Sequence, residues 1–173
     1  MAKEEKRKET LTVEGDWPIG SYVYKAPPLY KELLACYKEK KLIGSLCTGC
    51  GMVYVPLRNI CGRCWRKIDT RVGVSDIGTV TGFTISPEIR KGEVKVMGID
   101  PVEAGWLEEG ERLIMVYVKF DGANSNYTTI LMNAKPEEVH IGMRVRAVWK
   151  DEPEGKLSDL QGVEPVKQLQ HTT

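Results

Sequence analysis

Four of the five cysteines fall between residues 47 and 64, in "CTGCGMVYVPLRNICGRC", spaced C-x2-C, ten residues, C-x2-C. Two cysteines separated by two residues curl the backbone into a knuckle that aims both sulfurs at one point. Two such knuckles supply the four soft ligands of a tetrahedral metal site. Cys47, Cys50, Cys61 and Cys64 are therefore the expected metal ligands. Four thiolates leave no open coordination position, so a site of this kind holds a fold together and does not activate water. The segment 43–67 is expected to wrap the metal as a ribbon, with short hairpin strands near "SLC" and "MVYVP".

Zinc suits an isolated structural ribbon best. Iron is the rival, because Gly51 and Tyr54 after the first knuckle are also met in rubredoxin, an electron carrier; against it, "CGRC" lacks the proline rubredoxins carry there. Around the knuckles stand Arg58, Arg63, Arg66, Lys67 and Arg71, five cations within fourteen residues, opposed only by Asp69. Such a cluster can meet phosphates, of a nucleic acid or of a phosphorylated cofactor, or it can be a solvated face.

The rest of the chain sets the frame. Its 25 Lys and Arg against 24 Asp and Glu give a net charge of +1, so the cationic cluster is local and the chain is no general nucleic-acid binder. No apolar run approaches the roughly eighteen residues of a membrane span, and "MAKEEKRKET" lacks the apolar core of a secretory signal, so a cytoplasmic protein is expected. In that reducing compartment paired cysteines serve as metal ligands more readily than as disulfides.

Residues 1–19 read as a mobile tail, 20–42 as an N-terminal helical segment, and 169–173 as a second tail. Pro27 and Pro28 can open a helix, and Leu29, Leu33, Leu34, Cys36 and Tyr37 recur at three- and four-residue spacing, which predicts a helix over 28–41. From residue 68 the texture becomes that of strands between Gly, Pro, Asn and Asp: 78–86, 112–120, 126–132, 143–150 and 160–167. Five strands in about 100 residues, with "NAKPEEVHIG" between the third and fourth, predict an OB-fold barrel over 68–168; a small sandwich fits the same pattern. Residues 87–110 form a long insertion, in which Met97 and Trp106 are the side chains expected to pack. The fold class expected is thus mainly β: a helix, a rubredoxin-like zinc ribbon and a five-stranded OB-fold barrel.

Catalytic constellations are scarce. Cys36 lies on the apolar stripe of the expected helix and reads as a small buried hydrophobe; His140 and His171 have no partner that suggests a nucleophile and base. Glu108, Glu109 and Glu111 read as a solvated turn, and no phosphate loop or nucleophile elbow is present.

Taken in order, the amphipathic helix, "CTGCGMVYVP", "CGRC", "GTVTGFT" and "IGMRVRAVW" followed by "VEPV" resemble the DUF35 family over residues 20–168. The chain departs from that family in the second knuckle, where a proline is common, and in the length of the insertion. The resemblance implies a rubredoxin-like zinc ribbon joined to an OB-fold, and association with a thiolase-superfamily protein that carries the chemistry. It implies a non-catalytic accessory subunit that steadies the complex and helps bind an acyl-CoA. Within that frame Arg58, Arg63 and Arg66 are the candidates for CoA phosphates, with the CoA thioester bound jointly with the partner. The degraded substrate expected is a β-ketoacyl-CoA, such as an aromatic one of the benzoylsuccinyl-CoA kind. A single-stranded nucleic-acid-binding OB protein and a rubredoxin-like electron carrier are the alternatives.

Overall fold

The computed structural model of the chain describes residues 27–95 and 100–166. The expected tails at 1–19 and 169–173, residues 20–26 of the helical segment, Met97 and His171 lie outside the described residues.

Helix α1 spans Pro28–Lys38, with proline in its first turn, where a missing N–H costs nothing. It buries Leu33 and Tyr37, one turn apart, while Leu29 packs at the margin of the same core. The helix ends three residues before the expected position. Lys40 takes a left-handed backbone (φ 55°), and the N–H groups of Lys40 and Lys41 turn back to the carbonyls of Tyr37 and Cys36. These are the two bonds of a Schellman motif, here closed by lysine where glycine is usual.

The chain then forms a three-stranded antiparallel sheet in the order β2-β1-β3, from β1 (Leu42–Leu46), β2 (Val53–Tyr54) and β3 (Thr70–Val74). The hairpin β1–β2 lies where "SLC" and "MVYVP" place it. β3 was not among the expected strands. It pairs along the whole of β1, from Leu42 opposite Val74 to Leu46 opposite Thr70.

Five strands make the second sheet: β4 (Ile77–Glu88), β5 (Arg112–Phe120), β6 (Tyr127–Ile130), β7 (Arg144–Trp149) and β8 (Leu160–Pro165), ordered β6-β5-β4-β7-β8. All neighbours are antiparallel. The sheet nearly closes on itself, because Leu131, just past β6, bridges Val163 of β8 in parallel and the Met132 N–H reaches the Val163 carbonyl at 2.8 Å. Closure depends on Gly162, where a Cβ would stand 2.8 Å from the Ile130 carbonyl oxygen. This order, with a parallel closing pair, is the OB-fold barrel, and closure removes most of the exposed strand edge.

Alternation in β5 aims Ile114, Val116, Val118 and Phe120 inward, where they meet Val80, Val145 and Val163. Each such side chain stabilises the fold by ~1.5–3 kcal/mol relative to an exposed one. Helix α1 caps this core: the Tyr37 ring meets Trp149 edge-on at 5.2 Å, and its hydroxyl lies 3.2 Å from that of Tyr127. The β6–β7 connection is a turn that buries Val139, in place of a helix. In the insertion, Trp106 and Leu107 pack on a satellite cluster of Ile89, Leu113 and Ile130. The Asp100 carboxylate organises that segment by accepting the N–H groups of Gly92, Val102 and Glu103. Among the described residues, no helix is long and apolar enough to cross a membrane.

Candidate metal centre

The two knuckles are built by the same backbone turn. In the first, the Cys47 N–H donates to the Met52 carbonyl at 2.8 Å and the Gly51 N–H to the Cys47 carbonyl at 2.8 Å. In the second, the Cys61 N–H donates to the Arg66 carbonyl at 2.9 Å and the Trp65 N–H to the Cys61 carbonyl at 3.0 Å. Gly51 and Trp65 hold equivalent positions and both are left-handed, with φ of 75° and 61°.

These turns bring Cys47, Cys50, Cys61 and Cys64 together, all four sulfurs within 4.8 Å of one another. Cys47 and Cys64 sulfurs are 3.4 Å apart and those of Cys50 and Cys61 are 3.5 Å apart, too far for disulfides. Four thiolates about 2.3 Å from one tetrahedral ion stand about 3.8 Å from each other. The donor set and its compactness thus fit a metal ion, which these four cysteines could hold. Cys47, Cys61, Tyr54 and Ile68 are buried beneath it.

A second layer steadies the sulfurs. Cys61 Sγ lies 3.3 Å from Tyr54 Oη and accepts the N–H groups of Arg63 and Cys64 at 3.4 Å. Burial pushes the Cys61 thiol up, but these donors outweigh it and bring it down to about 5. Cys50 goes the other way: the Met52 backbone favours its thiolate, yet burial and the three neighbouring sulfurs push it up to about 12. Charge therefore collects first on Cys61, and filling the site with a cation would expel protons from Cys50 and Cys64, whose thiols are both pushed up. Tyr54 was read in the sequence only as a knuckle-flanking aromatic; its role as a sulfur partner depends on where β2 places the ring.

The ribbon is fastened to the barrel. Val53 and Val55 of the β2 segment donate their N–H groups to Asn124 Oδ1 at 2.8 Å and Ser125 Oγ at 2.7 Å, in the β5–β6 turn. The Asn124 N–H and the Ser125 hydroxyl return bonds to the carbonyls of Val53 and Val55. Buried Ser45 accepts the Arg58 N–H at 2.8 Å, and Arg71 on β3 reaches Glu32 on α1 at 2.8 Å. Those pairings span up to 71 residues of sequence and could not be read from it.

The five cations divide. Arg71 pairs with Glu32, and Lys67 with Asp69 at 3.2 Å. Arg58, Arg63 and Arg66 have no ion pair among the described residues. The Arg58 guanidinium lies 5.4 Å from the Tyr54 ring centre and beside Gly62. Arg66 crosses over Gly49, where a Cβ would come within 2.6 Å of its Cδ. Two of the three arginines are thus draped over the knuckles themselves, and the glycines at the knuckle tips make room for them. Four thiolates around a divalent cation would keep net negative charge, which nearby guanidinium groups would offset.

The remaining chemistry-bearing residues stay apart. Cys36 is half-buried where full burial was expected, because it sits at the edge of the helix's buried stripe; desolvation and then Glu39 push its thiol up. His140 is exposed, with Nδ1 2.9 Å from the Glu138 carbonyl. Glu108, Glu109 and Glu111 are exposed, and Glu111 accepts the Glu108 N–H. A cleft of about 590 Å³ opens between the insertion and the β6–β7 connection, floored by Ile114, Leu131 and Met132 and walled by Trp106.

No protein-family model matches the chain. Among curated proteins it is similar to a DUF35 domain-containing scaffold protein of Methanocaldococcus jannaschii, 33% identical over 114 residues that span 63% of this chain and 67% of the relative. Among solved structures it resembles a DUF35-family protein of unknown function from Sulfolobus solfataricus, with a TM-score of 0.55 and 20% identity over 80% of this chain and 86% of the other. It is also similar to the Ltp2-ChsH2(DUF35) aldolase, with a TM-score of 0.49 and 16% identity over 76% of this chain and 90% of the other. On the identity and coverage of the Methanocaldococcus relative, the chain belongs to the DUF35 family.

Proposed function

We propose that this chain is a zinc-bearing accessory subunit that holds a thiolase-superfamily partner in a hetero-oligomeric complex and helps it bind acyl-CoA. The observation that carries the reading is membership of a family whose curated relative is a scaffold protein, in a chain whose most developed site is a ring of four cysteines. Cys47, Cys50, Cys61 and Cys64 would hold zinc, which supplies a cross-link between the knuckles and no open position for a substrate. The Asn124 and Ser125 bonds then give the ribbon a fixed direction on the barrel. The partner supplies the nucleophile and the acid–base groups.

Arg58, Arg63 and Arg66 are the cations we assign to the phosphates of a CoA thioester shared with the partner; their lack of ion pairs among the described residues supports that choice. The barrel cleft suits the uncharged part of the thioester better than its phosphates. Its apolar floor is rimmed by Glu88, Glu111 and Glu138 against Arg112 and Lys135, so it carries no excess of positive charge. The substrate class we favour is a β-ketoacyl-CoA of the aromatic, benzoylsuccinyl-CoA kind, and the compartment the cytoplasm, where the thiols stay reduced.

The test is kinetic. The cleavage rate of the thiolase-type partner on acyl-CoA is measured with and without this chain, and a rise on addition is expected. An unchanged rate at saturating amounts of this chain would sink the accessory role. The metal is read separately: a colourless protein with zinc by elemental analysis is expected, and a red iron protein would move the assignment to electron transfer.

A further inference from the structure

Trp65 is out of place by the rules of its own turn. It stands where the first knuckle has Gly51, in a left-handed conformation (φ 61°) that glycine adopts freely and a bulky side chain does not. Nothing among the described residues compensates, since Trp65 is 79% exposed and takes no part in the cluster beneath the sulfurs. At the base of the same knuckle Ile60, which bridges Lys67, is 50% exposed. An outlying backbone that displays a large apolar side chain to solvent is a mark of a binding surface, and tryptophan flanked in sequence by Arg63 and Arg66 has the residue types enriched in interface hot spots. From Arg58 to Lys67 the chain carries four cations, Arg58, Arg63, Arg66 and Lys67, and no carboxylate.

We propose that Trp65, with Ile60, is the anchor by which this chain docks its partner enzyme, entering an apolar recess whose rim is anionic. The inference rests on the accessory-subunit reading and names the surface that reading requires. Ile60 argues for a protein occupant, because an aliphatic side chain offers no face for stacking a base whereas it fills an apolar recess beside an indole. Arg58, Arg63 and Arg66, which the proposed function assigns to the CoA phosphates, also set a positive potential that steers this tip toward a partner surface of negative charge.

The test uses the full zinc-loaded chain and the thiolase-superfamily protein of the same organism, with affinity measured by calorimetry. Trp65→Gly removes the anchor and also relaxes the turn, so the variant is expected to keep its zinc, to unfold at the same or a higher temperature, and to bind at least ~30-fold more weakly. Ile60→Ser is expected to weaken binding by a smaller factor. If Trp65→Gly binds within about threefold of the wild type, the anchor is wrong and the accessory role still stands. If the wild type does not bind the thiolase-type protein, both fall together. Loss of zinc by Trp65→Gly would make the residue part of the metal site and overturn the proposal. Salt-sensitive binding of oligothymidylate, or self-association in sedimentation, that Trp65→Gly abolishes would give the tip to nucleic acid or to a second copy and overturn it likewise.

Discussion

Tyr54→Phe is the most informative single change at the metal centre. It deletes one oxygen and keeps the ring, so the packing of this buried side chain on Cys47, Cys61 and Ile68 is preserved. What is lost is one of the three donors to Cys61 Sγ, the hydroxyl at 3.3 Å; the N–H groups of Arg63 and Cys64 remain. Partners of this outer kind change metal affinity by about 10–100-fold, and with two of three donors left the expected loss lies at the lower end, about tenfold. The pH consequence has a definite sign. In the metal-free site the donors hold the Cys61 thiol down, at about 5, against the opposing effect of burial, which favours the thiolate that a metal ion needs. Without Tyr54 Oη the thiol takes up its proton at higher pH, and metal release on acidification begins earlier. Zinc competition with a chromophoric chelator, repeated from pH 7.5 to about pH 4.5, reads both effects. An affinity and an acid midpoint equal to those of the wild type would refute the assignment of Tyr54 as a sulfur partner.

Three further outcomes follow from the fold. Asp159 is fully buried; burial pushes its carboxyl up, but the N–H groups of Glu154, Lys156 and Gly155 outweigh this and hold it below the usual range. Its contribution is therefore present above the unfolded carboxylate value of about 3.9 and lost as pH falls through the lower folded value. Asp159→Ala should cost about 3 kcal/mol at pH 7 by urea unfolding, a deficit that narrows at acid pH. Gly162→Ala places a Cβ 2.8 Å from the Ile130 carbonyl oxygen at the barrel seam and should destabilise by about 2 kcal/mol in thermal melts; an unchanged melt would show that the seam opens freely. Ser125→Ala removes the hydroxyl that both accepts from and donates to Val55, so amide exchange at Val53 and Val55 should quicken while zinc content stays constant.

Regular alternation and gross motif spacing were legible in the sequence. β5 lies at the residues where apolar alternation places it, and the sulfurs of Cys47, Cys50, Cys61 and Cys64 gather as C-x2-C spacing demands. Short elements were not legible: "TRVGV" holds two valines around Gly73, too little alternation to mark β3, which forms because β1 offers it a partner along its whole length. The helix end escaped because Lys40, an unremarkable helix former, takes the left-handed position. Long-range polar contacts also escaped. The Arg71–Glu32 pair, 39 residues apart, withdraws one cation from a cluster that the sequence presents as five equals. The unusual turn residue does stand in the sequence: "CTGCG" beside "CGRCW" shows tryptophan in the place of a knuckle glycine.

In the proposed function this chain holds a thiolase-type partner through a zinc-set ribbon. Native mass spectrometry of the two proteins expressed together tests it most directly. A hetero-oligomer containing both chains is expected, with one zinc per copy of this chain, that falls apart when a chelator strips the metal. Two separate species under conditions where each is folded, or a complex indifferent to loss of the metal, would contradict it.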